Sequence, residues 1–317
     1  MESAPLYLGV DIGGTKVAAG LVSAQGRILA QARVPMNSRG SARAGLEAVL
    51  AAAGAALNGR PAQAAGISSP GPLDPRRGIV LNPPNLPCWR NFRLAAAAQR
   101  QLRLPVKLDN DANAAALAEA RWGAGRGFGA VFYATLGTGV GAGLVLDGRI
   151  YHGRTGAAVE GGHVSVDWRG VRCGCGKRGC IEALASGPAL AKRARALARR
   201  QPGKARKLIA AAGGRPAAIT GEAVAAAWKA GDPVAEAALR QTAEWYAIWL
   251  GNIVDLLEPE VIIFGGGMGA LFGQWFPLIR KRMLDWTINQ RAGQIPLRVA
   301  RYGTEAGIAG AAALCLP

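Results

Sequence analysis

The 317-residue sequence contains no apolar run long enough to span a membrane, and its opening, MESAPLYLGV, lacks the charged start and apolar core of a secretory signal. A soluble, cytoplasmic protein is therefore expected, with no membrane partner. Cysteine is scarce: there are five, and three of them crowd into one short segment. The two left over, Cys88 and Cys315, cannot make a disulfide framework and suit a reducing compartment. Acidic residues are also few, 20 against 38 Lys and Arg, giving a formal net charge of +18. That imbalance raises the question of a polyanionic partner. The densest basic cluster, AKRARALARRQPGKARK at 191–207, has no acid and no aromatic side chain to stack on bases. It reads as a solvated helical face, and no specific nucleic-acid partner is expected. No linker or low-complexity stretch interrupts the chain, which is long enough for one large or two medium domains.

What the sequence does have is repetition. The opening LYLGVDIGGTKVAAGLVSAQGRILA reads as strand, Gly-Gly turn, strand, polar glycine turn and strand. From Ala130, AVFYATLGTGVGAGLVLDGRIY repeats that grammar, and Gly20-Leu21-Val22 with Gly26-Arg27-Ile28 matches Gly143-Leu144-Val145 with Gly148-Arg149-Ile150. The chain is thus expected to consist of two related halves. Each half brings to a strand end a glycine turn whose bare N–H groups suit phosphate oxygens, which predicts a nucleotide held in a cleft between domains. Asp11, at the end of the first strand, is placed to hold Mg²⁺ or its waters. No Gly-Lys-Ser/Thr closes the turn, so it is not a Walker A loop, and Lys16 reads equally well as a surface lysine.

Further along, 40–58 is expected to be helical, AQAAGISSPGPLD a buried strand entering a turn, and LNPPNLPCWRNFRL an extended loop. That loop either presents Asn85 and Trp89 to a small polar ligand or is a rigid connector. After a short strand, PVKLD, Asn110-Asp111 opens the helix ANAAALAEARW. Asp111 there is either a helix cap or a general base at a strand end. A long helix is expected over 233–257, with Trp245, Tyr246 and Trp249 in the core. VIIFGGGMG then gives a buried strand ending in Gly265, Gly266 and Gly267, a backbone bare enough for adenine or for tight strand-to-helix packing.

The densest stretch is EGGHVSVDWRGVRCGCGKRGCIE, from Glu160 to Glu182. Cys173, Cys175 and Cys180, with His163, supply the four N and S ligands of a structural zinc site. Free thiols or a disulfide would not account for the glycines at 174, 176 and 179, which let the sulfurs converge. Glu160 and Glu182 flank the ligands, and zinc does not explain them.

Taken together, these motifs resemble the ROK family (repressors, open reading frames and sugar kinases) of the actin-like ATPase superfamily, over nearly the whole chain. DIGGTK at 11–16 is similar to its first phosphate turn, LGTGVGAG at 136–143 to the second, and GGG at 265–267 to its adenosine site. LDNDANAAALAEARWGAG at 108–125 resembles its catalytic-helix segment, and EGGH with CGCGKRGCIE its zinc and sugar signature.

The resemblance implies an α/β, two-domain actin-like ATPase (ribonuclease H-like) fold with duplicated βββαβα halves. The expected domains are a small one over 1–108, closed by the C-terminal helix 304–317, and a large one over 109–303. It implies Mg-ATP held by Asp11, Gly13, Gly14, Thr15, Lys16, Gly137, Thr138, Gly139, Gly265, Gly266 and Gly267. It implies Asp111 as general base, and sugar contacts from Gly71, Asn85, Asn110, Glu160, His163 and Glu182. The implied reaction is transfer to the 6-hydroxyl of a hexose, glucose first, because PNLPCW and the 110–125 segment resemble the bacterial glucokinase branch. N-acetylhexosamine or fructose kinases are the alternatives, and a homodimer or dimer of dimers is expected. A sugar-responsive transcriptional regulator is the rival from another class, but the first turn begins at Asp11, leaving no room ahead of it for a helix-turn-helix. Val159 stands before Glu160, where family members commonly carry glycine.

Overall fold

The computed structural model describes residues 4–316. They group into two compact units, the first made of the chain up to Tyr133, Gly143–Val159 and the chain from Arg301, the second of Ala134–Ala142 and Glu160–Ala300.

The first unit opens with β1 (Leu6–Ile12), β2 (Lys16–Ser23) and β3 (Ile28–Pro35), an antiparallel meander. All of β2 after Lys16 is buried, whereas β3 alternates half-buried and exposed residues, as an edge strand with one wet face should. Helix α1 (Ala42–Leu57) is capped by Ser41, whose hydroxyl accepts from the Ala44 N–H at 3.1 Å. Then come β4 (Ala64–Ser69), the small hairpin β5 (Leu73–Asp74) and β6 (Ile79–Val80), α2 (Leu94–Leu102), β7 (Val106–Asn110) and α3 (Asp111–Trp122). The sheet order is β3-β2-β1-β4-β7, with β4 and β7 parallel to β1. Its register aligns Asp11 with Ser68 and Ser69 with Asn110, so the C-terminal ends of the three parallel strands bring these side chains to one edge.

Trp89 belongs to the core of this unit and not to a ligand surface. It is fully buried, stacks on Phe92 with ring centroids 5.5 Å apart, and donates its indole N–H to Ala42 O at 3.1 Å. Of the two candidates in the loop, Asn85 is exposed and Trp89 is not, and the apolar residues Leu86 and Trp89 anchor the loop beneath. The sequence boundary expected at 108/109 falls within this unit, which also holds α3.

The second half begins with β8 (Ala130–Leu136), β9 (Val140–Leu146) and β10 (Arg149–Ile150). Helices α4 (Ile181–Ala185), α5 (Gly187–Arg200), α6 (Arg206–Ala211), α7 (Gly221–Lys229) and α8 (Pro233–Leu257) follow. After them come β11 (Val261–Gly265), α9 (Gly269–Phe272), α10 (Phe276–Met283), β12 (Leu297–Val299) and α11 (Ala306–Ala313). The sheet order β10-β9-β8-β11-β12 repeats that of the first sheet, three consecutive strands followed by two later ones. This is the duplication visible in the glycine words, with one more strand per half than the βββαβα expectation. Asp232 caps α8 through the Val234 and Ala235 N–H groups, both at 2.9 Å. Tyr246 and Trp249 on α8 are buried, and the Tyr246 hydroxyl donates to Ala185 O at 2.6 Å.

Helix α11 returns to the first unit and lies against β1, β4 and α3. Gly9 and Gly66 permit this approach, since a Cβ on either would collide with Ile308 O or Ala311 O. Among the described residues, no helix is long and apolar enough to cross a membrane.

Candidate active site

In the first unit, Asp11, the penultimate residue of β1, faces Ser68, which donates to its Oδ1 at 2.8 Å. Burial pushes the Asp11 carboxyl up, opposed by that hydrogen bond and by the Lys16 charge. The β1–β2 turn is closed by Gly13 N–H to Lys16 O at 2.9 Å and leaves Thr15 and Lys16 exposed. A Cβ at Gly14 would press on Asn85 O at 3.0 Å, so the turn and the proline-rich loop are neighbours. Gly71 lies beside the Asn110 amide, to which a Cβ there would come within 3.6 Å.

The cap of α3 is Asn110 and not Asp111. The Asn110 Oδ1 accepts from the Ala112 and Asn113 N–H groups at 2.9 and 3.4 Å. Asp111 is the first helical residue, exposed, with Oδ1 accepting from Ala112 N–H at 2.8 Å. Behind it, buried Asp109 accepts from Asn110 N–H at 2.8 Å and from the Asn113 side-chain amide at 3.1 Å.

In the second unit, the turn at Gly137, Thr138 and Gly139 is tied to Glu182, whose Oε2 accepts from Val140 N–H at 3.0 Å. A Cβ at Gly139 would sit 2.6 Å from that oxygen, which explains the glycine. The Gly-Gly of EGGH is equally constrained, because a Cβ at Gly162 would collide with Val140 O. Residues 161–163 form one turn of 3₁₀ helix, with Glu160 exposed ahead of it.

Nδ1 of His163 and the sulfurs of Cys173, Cys175 and Cys180 all lie within 4.8 Å of one another. Cys173 Sγ is 3.8 Å from His163 Nδ1, and Cys175 Sγ is 3.6 Å from Cys180 Sγ. A tetrahedral ion with metal–sulfur bonds of about 2.3 Å would hold its ligand atoms about 3.8 Å apart, so the four atoms fit one. Burial and the neighbouring thiols push the Cys180 thiol up to about 12. The Lys177 backbone N–H, aided by the neighbouring thiols, holds the Cys175 thiol down instead, so the cluster favours one thiolate over several, and a shared cation would favour all three. Glu182 Oε1 stands 3.9 Å from both His163 Nδ1 and Cys173 Sγ, so this one carboxylate links the ligand cluster to the second glycine turn.

Beside that turn is a cavity of about 850 Å³ lined by Gly137, Thr138, Gly267, Arg195, Thr220 and Glu222 among others. Gly266, at φ 74°, lets the end of β11 approach Leu136, where a Cβ would collide with the backbone. Gly265 ends the strand and Gly267 opens onto the cavity. Of the basic cluster, Lys192, Arg199 and Arg200 are solvated, as expected of a helical face. Arg193 instead donates to Leu184 O and Thr242 Oγ1, and Arg195 to Ile219 O at 2.9 Å beside the cavity.

The structure thus gathers Asp11, Gly13, Gly14, Gly71, Asn85, Asn110 and Asp111 within the first unit. It gathers Gly137–Gly139, Glu160, His163, the three cysteines, Glu182 and Gly265–Gly267 within the second. Sequence reasoning missed Ser68, Asp109, His152 and the cavity wall of Arg195, Thr220 and Glu222. Of these, only Asp109 carried a signal, being an acid beside the Asn110-Asp111 pair.

The ROK family matches residues 7–317. The glucokinase of Streptomyces coelicolor is 36% identical over 310 residues, covering 98% of this chain and 97% of the relative. A xylose repressor of Caldicellulosiruptor bescii is 34% identical over 227 residues, 72% of this chain and 54% of the repressor. Among solved structures, a ROK family glucokinase from Streptomyces griseus, in complex with glucose and AMPPNP, superposes with a TM-score of 0.85 at 38% identity and covers 98% of both chains.

Proposed function

The chain belongs to the ROK family, and on that premise we propose that it is an ATP-dependent hexokinase-type phosphotransferase acting on the 6-hydroxyl of glucose, as a cytoplasmic homodimer or dimer of dimers. The observation that carries this reading is the division of labour at the start of α3, where Asn110 supplies the cap and Asp111 stands exposed beside it. The likeness to a glucokinase with glucose and AMPPNP bound supports both the sugar and the donor.

A sugar hydroxyl is barely ionised at neutral pH, so its proton must leave as the new P–O bond forms. Asp111 accepts it. The Gly13 and Gly137 N–H groups close their turns on Lys16 O and Gly139 O, which leaves the N–H groups of Gly14, Thr15 and Lys16 in the first unit, and of Thr138 and Gly139 in the second, as the donors for phosphate oxygens, and adenosine takes the cavity lined by Gly267. Asp11, with Ser68 steadying one oxygen, would hold Mg²⁺, which when bound neutralises charge on the transferred group. His163, Cys173, Cys175 and Cys180 would hold zinc. With all four positions filled by protein that ion is structural, and it would frame the segment bearing Glu160 and Glu182. His163 spends Nδ1 on the cluster, which leaves Nε2 for a sugar hydroxyl. Gly71, Asn85, Asn110, Glu160 and Glu182 supply the remaining sugar contacts.

The test is a coupled ADP-release assay across glucose, fructose, mannose, N-acetylglucosamine and N-acetylmannosamine, beside a gel shift in moderate salt. Glucose should give the highest kcat/KM. A higher value for an N-acetylhexosamine or fructose would reassign the substrate, and sequence-specific DNA binding without sugar-dependent turnover would overturn the kinase reading.

A further inference from the structure

Asp109 is the penultimate residue of β7, next to the Asn110 cap, and its side chain is only 5% exposed. Its carboxylate is hydrogen-bonded on three sides. Oδ1 takes the Asn110 N–H at 2.8 Å and the Asn113 amide at 3.1 Å, while Oδ2 lies 2.6 Å from His152 Nε2. Facing a carboxylate at that distance, Nε2 is the ring nitrogen that donates. His152 is itself held by its main chain, since its carbonyl accepts from the Gly156 and Ala158 N–H groups at 3.1 and 3.3 Å. The next residue, Gly153, accepts from Arg76 at 3.3 Å. Asp109 Oδ1 therefore holds the backbone just before Asp111 and the Asn113 side chain just after it, and the imidazole on Oδ2 sets the orientation of that carboxylate. A base oriented by a neighbour, which is oriented by a third group, is a recurrent way to hold a proton acceptor in reacting geometry.

We propose that Asp109 and His152 are positioning residues for the base: the His152 Nε2–H bond to Asp109 locks the carboxylate that pins Asn110 and Asn113, and thereby aims Asp111. The proposal rests on the kinase reading above. Neither residue needs to touch the sugar or the nucleotide, so the effect should fall on kcat and leave KM unchanged.

The experiment compares wild type with His152→Gln, His152→Leu and Asp109→Asn in steady-state kinetics, thermal unfolding and proton NMR of the downfield imidazole N–H region. The chain has two histidines, so the resonance lost in His152→Gln is assigned by its absence. Wild type should show a slowly exchanging His152 N–H that is lost or shifted in Asp109→Asn. The Leu variant should lose about tenfold to hundredfold in kcat with KM values held within about twofold, and the Gln variant, whose amide donates from near the Nε2 position, should recover to within about threefold of wild type. Wild-type kcat in folded His152→Leu, or an equal loss in His152→Gln, would overturn the proposal. If the Leu variant does not fold, Asp109→Asn decides: reduced kcat at unchanged KM in a folded protein supports positioning, and wild-type kcat refutes it. If wild type phosphorylates no sugar, the kinase reading fails, while the NMR resonance still reports whether the pair exists.

Discussion

Val159 has φ 61°, a left-handed backbone that a β-branched side chain resists. The sequence marked the position only as a departure from the family's glycine. The dihedral costs roughly 1–2 kcal/mol for an L-residue, a cost that a glycine would not bear. Val159→Gly should raise stability by about 1 kcal/mol net of the extra chain entropy, read from urea unfolding. At Asp111, the sequence left cap and base open because both put an acid at a helix start; the structure gives the cap to Asn110, and the base role is what turnover must test. Asp111→Asn should leave unfolding and glucose binding nearly unchanged while lowering kcat by about 10²–10⁴-fold; wild-type turnover would refute the assignment. Asp11 has the opposite balance. Because burial raises its folded pKa, the unfolded chain gives up this proton more readily, and ionised Asp11 subtracts from stability. That penalty is absent below the unfolded value of about 4 and grows as pH rises from there through the folded value. Asp11→Asn should therefore melt higher than wild type at neutral pH without nucleotide, converge with it in acid, and lose kinase activity. Thermal melts across pH, paired with the ADP assay, check all three.

At the scale of elements, the strands and the glycine turns were legible because alternation, apolar runs and glycine are local signals. The elements that sequence reasoning placed less well depend on contacts distant in the chain. Trp89 looked like a possible ligand platform among prolines, but Ala42, which accepts its indole N–H, lies 47 residues earlier at the start of α1, and with Phe92 stacked on the ring it makes Trp89 core. The basic cluster read as one solvated face, yet helix periodicity turns Arg193 and Arg195 inward to carbonyls of α4 and the segment before α7. The cysteine segment was readable because its ligands are close in sequence. What spacing could not disclose was Glu182, which joins that segment to the Gly137–Gly139 turn. Cys175→Ser should remove the metal, seen by elemental analysis, and raise KM for both glucose and ATP, since the phosphate turn loses its brace along with the sugar loop. A rise for glucose alone would argue against the Glu182 link, and a wild-type protein free of zinc would end the metal assignment.

At the scale of the molecule, the repeated words at Gly20–Ile28 and Gly143–Ile150 foretold two sheets of the same strand order, and the structure contains them. Which segments close each unit was less legible, because closure depends on where distant backbones touch. Helix α11 reaches β1 and β4 only through Gly9 and Gly66, which in sequence look like ordinary strand glycines. Gly66→Ala should cost about 3 kcal/mol by forcing α11 off the sheet, a shift visible in the urea midpoint. The same seating bears on synthesis. The first sheet is translated early, but its helix-covered face stays open until α11 has left the ribosome. The start of this chain thus waits, exposed, for its end. Its yield in the cell should depend on chaperone supply and on uninterrupted translation more than its finished stability would suggest.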